Sequence, residues 1–279
     1  MRVLQVSDLT ITASNGVTLI NDLSFSINIG ERVGLIGESG SGKSLTALAI
    51  MGLLPIGLSA HGKILIKEGA HSMIDLLASK EETLNQIRGE EVSVVFQEPL
   101  TALDPLMRVG KQIAEPLRRH RRLRGRELHT SVLEALHEVK INYPDRIAKA
   151  YPHEISGGER QRIAIAMALA CEPALLIADE PTTALDVTVQ AEILALLDGI
   201  VESRNMALLF ISHDLAVVSQ ITDRVIVLKD GEFIESGSTE EITKNPTHNY
   251  TRNLLASALQ LDRALDFEIP KGGDNGINS

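Results

Sequence analysis

The chain has no tryptophan, three tyrosines, five phenylalanines and one cysteine. With so few aromatics, its core has to be assembled from Ile, Leu, Val and Ala. The lone Cys171 excludes an internal disulfide and a cysteine-ligated metal cluster within the chain. It fits a reducing compartment, and its expected role is that of a small buried hydrophobe. An excess of basic charge is also missing. Lys and Arg number 27 against 37 Asp and Glu, a formal net charge of −10. Nucleic acid is therefore not expected as a partner, because phosphate contacts need a broad basic surface. Long apolar runs are absent too. The most apolar stretch, Leu45–Leu58, falls short of the ~20 residues that span a bilayer and contains Gly52, Pro55 and Gly57. It reads as a buried helix. The opening MRVLQVSDLT has no basic region followed by an apolar one, so no signal peptide is expected. If this protein acts at a membrane, another chain must supply the spanning helices.

What is present is an alternation. Short apolar, β-branched runs occur at Val33–Ile36, Val92–Phe96, Leu175–Ala178, Leu208–Ile211 and Val225–Leu228. They are continuous rather than alternating, as expected of strands buried on both faces. Helix-period segments lie between them at Ser44–Leu54, Glu159–Ala170, Val189–Ser203 and Leu215–Ile221. This order predicts an α/β fold with a parallel sheet and right-handed crossovers. The first thirty residues read as antiparallel strands, Val3–Val6, Val17–Ile20 and Leu23–Ile29, around the turn signal Ser14-Asn15-Gly16. Residues from about 100 to 150 are helical in pattern and show no strand, so they read as a helical insertion. After Gly237 a polar stretch follows, ending in Lys271–Gly276, where disorder is expected.

Gly37-Glu38-Ser39-Gly40-Ser41-Gly42-Lys43-Ser44 matches the phosphate-loop pattern GxxxxGK[ST], entered from one strand and left by a helix. The glycines let backbone N–H groups curl round phosphate oxygens, and the helix N-terminus adds its positive end. Lys43 is placed for the β- and γ-phosphates and Ser44 for Mg²⁺. A Gly/Ser linker is the bland alternative, and the flanking strand and helix count against it. A second element, Leu175-Leu176-Ile177-Ala178-Asp179-Glu180, delivers carboxylates to the C-terminal edge of a strand, where ligands sit in open α/β sheets. Asp179 would hold Mg²⁺ and Glu180 would accept a proton from an attacking water. Alone, two acids after a strand are more often a solvated turn. The phosphate loop is what raises them.

The run Ile155-Ser156-Gly157-Gly158-Glu159-Arg160-Gln161-Arg162 resembles the LSGGQ signature of ABC ATPases, with Ile for Leu and Glu for Gln at two positions. Other parts of that family's pattern stand in order. Gln97 resembles the Q-loop glutamine, which senses Mg²⁺ and the attacking water. Thr183-Ala184-Leu185-Asp186 resembles the D-loop, and His213 the switch histidine at the γ-phosphate. The resemblance implies a P-loop NTPase (RecA-like) core with an antiparallel β-subdomain and an inserted α-helical subdomain. It implies ATP and Mg²⁺ as cofactors, with Ser44, Gln97 and Asp179 near the metal. It further implies that Ser156, Gly157, Gly158, Glu159 and Asp186 meet nucleotide held by a second, homologous or identical subunit. The nucleotide-binding domain would run over 1–258, its helical part over about 100–156, with a partly disordered tail at 259–279.

A narrower resemblance is to peptide and nickel importer ATPases. It rests on Phe96–Pro105, on Tyr151-Pro152-His153-Glu154, on Ala178–Gln190 and on Asn245–Arg252, where Asn249 replaces the usual proline. Some of those ATPases carry a C-terminal cysteine cluster for iron–sulfur, which this chain cannot form. The implied partners are integral membrane permease subunits and an extracytoplasmic solute-binding protein. The implied place is the cytoplasmic face of the cell membrane, as a peripheral subunit. The competing reading is a soluble ABC ATPase without a transport role. A P-loop kinase or GTPase leaves Ser156-Gly157-Gly158 and His213 unexplained. Two features stand apart from the family's parts. Arg118–Arg126 is a basic run in an acidic chain, either a solvated face or a surface for anionic lipid. No aromatic residue precedes Phe25, so the loop near Ala13 lacks the usual stacking partner for adenine and leaves aliphatic groups such as Val17.

Overall fold

A computed structural model describes residues 1–69, 72–97, 102–183 and 185–257. Two sheets organise them. The first is antiparallel, in the order β2-β1-β4-β5, from β1 (Arg2–Ala13), β2 (Thr18–Asn28), β4 (Leu58–Glu68) and β5 (Ser72–Asp75). The second runs β10-β9-β3-β8-β7-β6, from β3 (Arg32–Ile36), β6 (Val92–Val95), β7 (Leu175–Asp179), β8 (Ala207–Ser212), β9 (Arg224–Lys229) and β10 (Glu232–Ser238). Its strands β6, β7, β8, β3 and β9 pair in parallel, and β10 closes the edge antiparallel to β9.

The continuous apolar runs explain the layering. On β7, Leu175 and Ile177 point to one face and Leu176 and Ala178 to the other, following the period of two of a strand. The first face packs against the antiparallel sheet, with the helix Lys43–Ile50 buried between them through Ala47, Ala49 and Ile50. The second face carries the helices Gly157–Leu169, Val187–Arg204 and Leu215–Ile221. Between β6 and β7 lie the helices Val109–His120, Gly125–Glu138 and Pro144–Ile147, with Pro152–Glu154 in a 3₁₀ turn. Their apolar faces join the same core through Val109, Ile113, Leu117, Leu128, Val132 and Leu136. Cys171 is buried, and burial pushes its thiol pKa up. It therefore packs as an inert small hydrophobe.

Several expectations need correction. The N-terminal region forms two long strands, not three short ones. The polar pair Ser7-Asp8 interrupts the apolar run of β1, but the chain continues through a bulge there, with Asp8 at φ 52° and a register shift between Val6 and Leu9. The partner strand β4 accommodates this bulge with Gly62 at φ 107°, where a Cβ would run into the Ser7 and Asp8 carbonyls. Strands β4, β5 and β10 and the helix Glu81–Ile87 had no counterpart in the sequence reading. The buried helix expected over Leu45–Leu58 ends at Ile50, and Ile56 is fully exposed. Gly52 at φ 63° breaks it, and Pro55 prevents it from resuming. The polar stretch after Gly237, for which the sequence reading specified no element, contains the helix Thr239–Lys244, and residues 249–257 are helical. The tail at 259–279 lies outside the described residues, as do Glu98–Thr101 and Ala184.

Candidate functional site: a nucleotide cavity at the strand ends

The carboxyl ends of β3, β6 and β7 converge on one cavity of about 330 Å³. Ser39, Gly40, Gly42, Lys43, Ser44, Gln97 and Glu180 line it, together with Leu19 and Leu45. The loop Gly37–Gly42 reaches its shape through left-handed turns at Gly40 (φ 83°) and Gly42 (φ 98°), which other residues adopt only with strain. A Cβ on Gly42 would also strike the Ile20 side chain on β2. Ser41 is 2% exposed, and its hydroxyl has no hydrogen-bond partner among the described residues. A buried hydroxyl without such a partner, in a loop of this shape, fits an anion-binding cradle.

Lys43 is 5% exposed and donates to the Gly37 carbonyl at 2.8 Å and the Glu38 carbonyl at 2.9 Å. Burial lowers its pKa, against the pull of the Glu180 and Asp179 carboxylates. Ser44 donates to Asp179 Oδ1 at 3.1 Å. Asp179 is 6% exposed. Burial raises its pKa and Glu180 adds to the rise, while the Ser44 hydroxyl and Lys43 oppose it. A hydroxyl and a half-compensated buried carboxylate are hard oxygen donors of the kind Mg²⁺ takes, along with phosphate oxygens and water. The donor set therefore fits that ion.

Glu180 is the hub of the opposite wall. It sits at φ 48°, held there by its N–H donating to the Ile211 carbonyl at 2.9 Å. Its Oε2 accepts from Gln97 Nε2 at 2.8 Å and from the Thr183 hydroxyl at 2.9 Å, and its Oε1 lies 2.9 Å from His213 Nδ1. His213 is aimed by its neighbour. Asp214 caps the helix Leu215–Ile221, accepting from the N–H of Ala216 and Val217, while its own N–H donates to Ser212 Oγ. The structure thus brings Gln97, Asp179 and Glu180 to the phosphate loop and sets His213 against Glu180. Thr183 was missed as a site residue. Its place three residues after Glu180, in a turn closed by Thr183 N–H to the Glu180 carbonyl, was the available signal.

Ser156, Gly157, Gly158, Glu159 and Asp186 do not line this cavity. Ser156 is the N-cap of the helix Gly157–Leu169. Its hydroxyl accepts from Glu159 N–H at 3.3 Å, and Glu159 Oε2 accepts from Ser156 N–H and Oγ, each at 2.9 Å. This reciprocal capping box gives Glu159 a structural role that its reading as a nucleotide contact did not include. Gly157 is open on its outer side, whereas Gly158 packs so closely on Val189 that a Cβ would lie 2.9 Å from it. Asp186 caps the helix Val187–Arg204, accepting from Val189 N–H at 2.9 Å.

Comparison with known proteins decides the family. The model of the ABC transporter family matches residues 20–183. The chain belongs to the ABC transporter ATP-binding family. A putative peptide import ATP-binding protein of Brucella ovis is 47% identical over 259 residues, covering 92% of this chain and 77% of that one. The glutathione import ATP-binding protein GsiA of Escherichia coli O1:K1 is 43% identical over 274 residues, covering 96% of this chain and 44% of GsiA. Among solved structures, the dimeric post-hydrolysis state of the ATP-binding cassette MJ0796 bound to ADP and Pi superposes with a TM-score of 0.74 at 30% identity, covering 85% of this chain and 98% of that one. CbiO1 of Clostridium perfringens, part of the transporter complex cbiONQ, gives 0.75 at 26% identity, covering 95% and 99%. This ABC ATPase therefore binds and hydrolyses ATP. Among its described residues no helix is long and apolar enough to cross a membrane.

Proposed function

We propose that the chain powers import of peptides or a related small solute, such as a nickel complex, through a separate membrane permease fed by an extracytoplasmic solute-binding protein. The observation that carries the reading is 47% identity, over nearly the whole chain, to a relative named for peptide import. The proposed place is peripheral, at the cytoplasmic face of the membrane.

The geometry of the site supports the following chemistry. Ser39–Ser44 would cradle the phosphates, with Lys43 turning from its carbonyl partners to the β- and γ-phosphates. Ser44, Asp179 and Gln97 would hold Mg²⁺, which supplies charge neutralisation at the phosphates. Glu180 would take the proton of the attacking water, with Gln97, Thr183 and His213 fixing both its oxygens. The described residues leave one side of this cavity open. Ser156–Gly158, an exposed helix N-terminus with an open Gly157, would close it from a second subunit packed head to tail. Asp186 would stand at that interface. ATP would then favour the closed pair through contacts that ADP lacks, and hydrolysis would release it.

The test is co-purification of the tagged chain with permease subunits, followed by reconstitution into proteoliposomes with the binding protein. ATP-dependent uptake of labelled di- and oligopeptides is expected. A chain that hydrolyses ATP yet captures no integral membrane subunit would put this reading aside in favour of a soluble ABC ATPase.

A further inference from the structure

The run Asn245–Arg252 takes no part in the chemistry above, yet it reaches the phosphate loop. Its anchor is Glu235 on β10, 9% exposed. That carboxylate accepts four hydrogen bonds: from Thr247 N–H and Oγ1 at 2.7 Å each, from Thr251 Oγ1 at 2.7 Å and from His248 N–H at 3.1 Å. Burial alone would raise its pKa, but these donors outweigh burial and bring it down to about 2. A charged acceptor with every partner supplied fixes this run firmly to the sheet edge.

Tyr250 carries the anchored run to the nucleotide site. Its side chain is 8% exposed, and Lys229 Nζ lies 5.2 Å from the centre of its ring. Its hydroxyl accepts from Glu38 N–H at 3.0 Å. That N–H belongs to the same peptide unit as the Gly37 carbonyl, which accepts from Lys43 at 2.8 Å. The first peptide of the phosphate loop is therefore gripped at both ends, by Tyr250 and by Lys43. Once Lys43 turns to phosphate, Tyr250 is the remaining side-chain restraint on that peptide among the described residues.

We infer that Tyr250 is a positioning residue for nucleotide binding: its hydroxyl holds the Gly37–Glu38 peptide in the bound-loop geometry, so that affinity for ATP depends on the Glu235-anchored run. The inference rests on the reading of Gly37–Ser44 as the phosphate cradle. Tyr250→Phe removes only the hydroxyl and leaves the ring in place beneath Lys229. One neutral hydrogen bond contributes roughly 0.5–1.5 kcal/mol. Losing it should raise the Kd for ATP about two- to tenfold, at 1.4 kcal/mol per tenfold.

The experiment uses the full chain. Wild type, Tyr250→Phe and Lys43→Ala are titrated with an ATP analogue fluorescent on the ribose, and hydrogen exchange is followed at the Glu38 amide. Tyr250→Phe is expected to bind more weakly, to exchange faster at Glu38 and to keep kcat at saturating ATP. Both changes are required. A Tyr250→Phe chain whose Tm falls while its Kd stays put would assign the hydroxyl to stability alone and overturn the inference. Lys43→Ala separates the two levels. If it binds ATP like the wild type, the cradle reading itself fails. If it loses ATP while Tyr250→Phe binds normally, the cradle stands and the role of Tyr250 falls.

Discussion

Replacing Glu180 by Gln tests the chemistry directly, because the structure separates what the side chain holds from what it does. The carboxylate meets Gln97 and Thr183 at Oε2 and His213 at Oε1. A glutamine amide is nearly isosteric. Its oxygen can still accept from Gln97 and Thr183, and its nitrogen can donate to Nδ1 of a neutral His213. The φ of 48° and the N–H bond to Ile211 are unaffected. Lys43, Ser44 and Asp179 keep their contacts, so ATP should bind as before. What vanishes is the basic oxygen. General-base catalysis contributes on the order of 10²–10⁴ in rate, or about 3–5 kcal/mol of barrier at 1.36 kcal/mol per tenfold. Single-turnover phosphate release at saturating MgATP should fall by that factor, while the Kd for the fluorescent ATP analogue moves little. ATP-bound dimer should accumulate on size exclusion. A variant that turns over within a few-fold of wild type would mean that the proton goes elsewhere, and the three contacts to Glu180 would then be structural. A variant that no longer binds ATP would mean that the amide disturbs the wall, contrary to the isosteric argument.

Four further outcomes are expected. Thr183→Val removes one hydrogen bond to the Glu180 charge, worth ~1.5 kcal/mol or more; kcat should drop roughly tenfold with KM little changed, and an unaltered kcat would remove Thr183 from the site. Ala13→Tyr should tighten ATP binding, because Ala13 ends β1 beside the turn that leads to Val17, 51% exposed, and to Leu19 in the cavity wall; base stacking on an aromatic is worth ~1–3 kcal/mol in nucleic-acid complexes, and equal affinity in the two chains would mean that another group supports the base. Glu235 has a depressed pKa in the folded chain, so its contribution is present above about 4.5 and is lost as pH falls toward about 2; Glu235→Gln should lower Tm at neutral pH, and the gap between the two melting curves should narrow through that window on acidification. Within the basic run, Arg121 is committed to the Cys171 carbonyl and to Glu172, whereas Arg119, Arg122, Arg124 and Arg126 are exposed; neutralising those four should weaken flotation with anionic vesicles, each worth ~1 kcal/mol near such a surface, and equal flotation would leave the run a solvated face.

The parallel core was legible because its strands are buried on both faces. A run such as Leu175–Asp179, with all five residues buried, has no polar interruption to hide it. The antiparallel sheet has one solvated face, and its signal is correspondingly diluted. In β4 only Ile64 and Ile66 are fully buried, and His61, Gly62 and Lys63 at its bulge read as a turn. The Ser7-Asp8 bulge broke β1 into what looked like a separate strand and loop. The helix Glu81–Ile87 is seven residues long, with only Leu84 and Ile87 buried, too short for a helical period to emerge. At the site, the residues found from sequence were those in spaced motifs. Thr183 stood inside a quoted motif but three residues from Glu180, and only the turn shows that its hydroxyl reaches the carboxylate. Tyr250 was passed over because its partner is far away in sequence. A hydroxyl that reaches a backbone N–H 212 positions away leaves no local pattern.

The same contrast bears on how the site works. Glu180 is satisfied three times over within one chain, and Lys43 is satisfied by its own loop. Ser156 is satisfied by Glu159. These three side chains therefore have internal partners that they must give up or share when phosphate arrives. Exchanging one hydrogen bond for another is close to neutral, so contacts from these three side chains add little net free energy beyond charge. The Ser41 hydroxyl differs, being buried without a partner among the described residues. Burying an unsatisfied hydroxyl costs ~1–3 kcal/mol, and a phosphate oxygen or its bound water would recover that cost on binding. If this is right, Ser41→Ala should stabilise the nucleotide-free chain while weakening ATP binding, two effects of opposite sign from one substitution. Thermal melts with and without MgATP would show Tm rising in the free protein and the ATP-induced gain in Tm shrinking. A fall in both would place the hydroxyl in an internal contact and remove it from the account of binding.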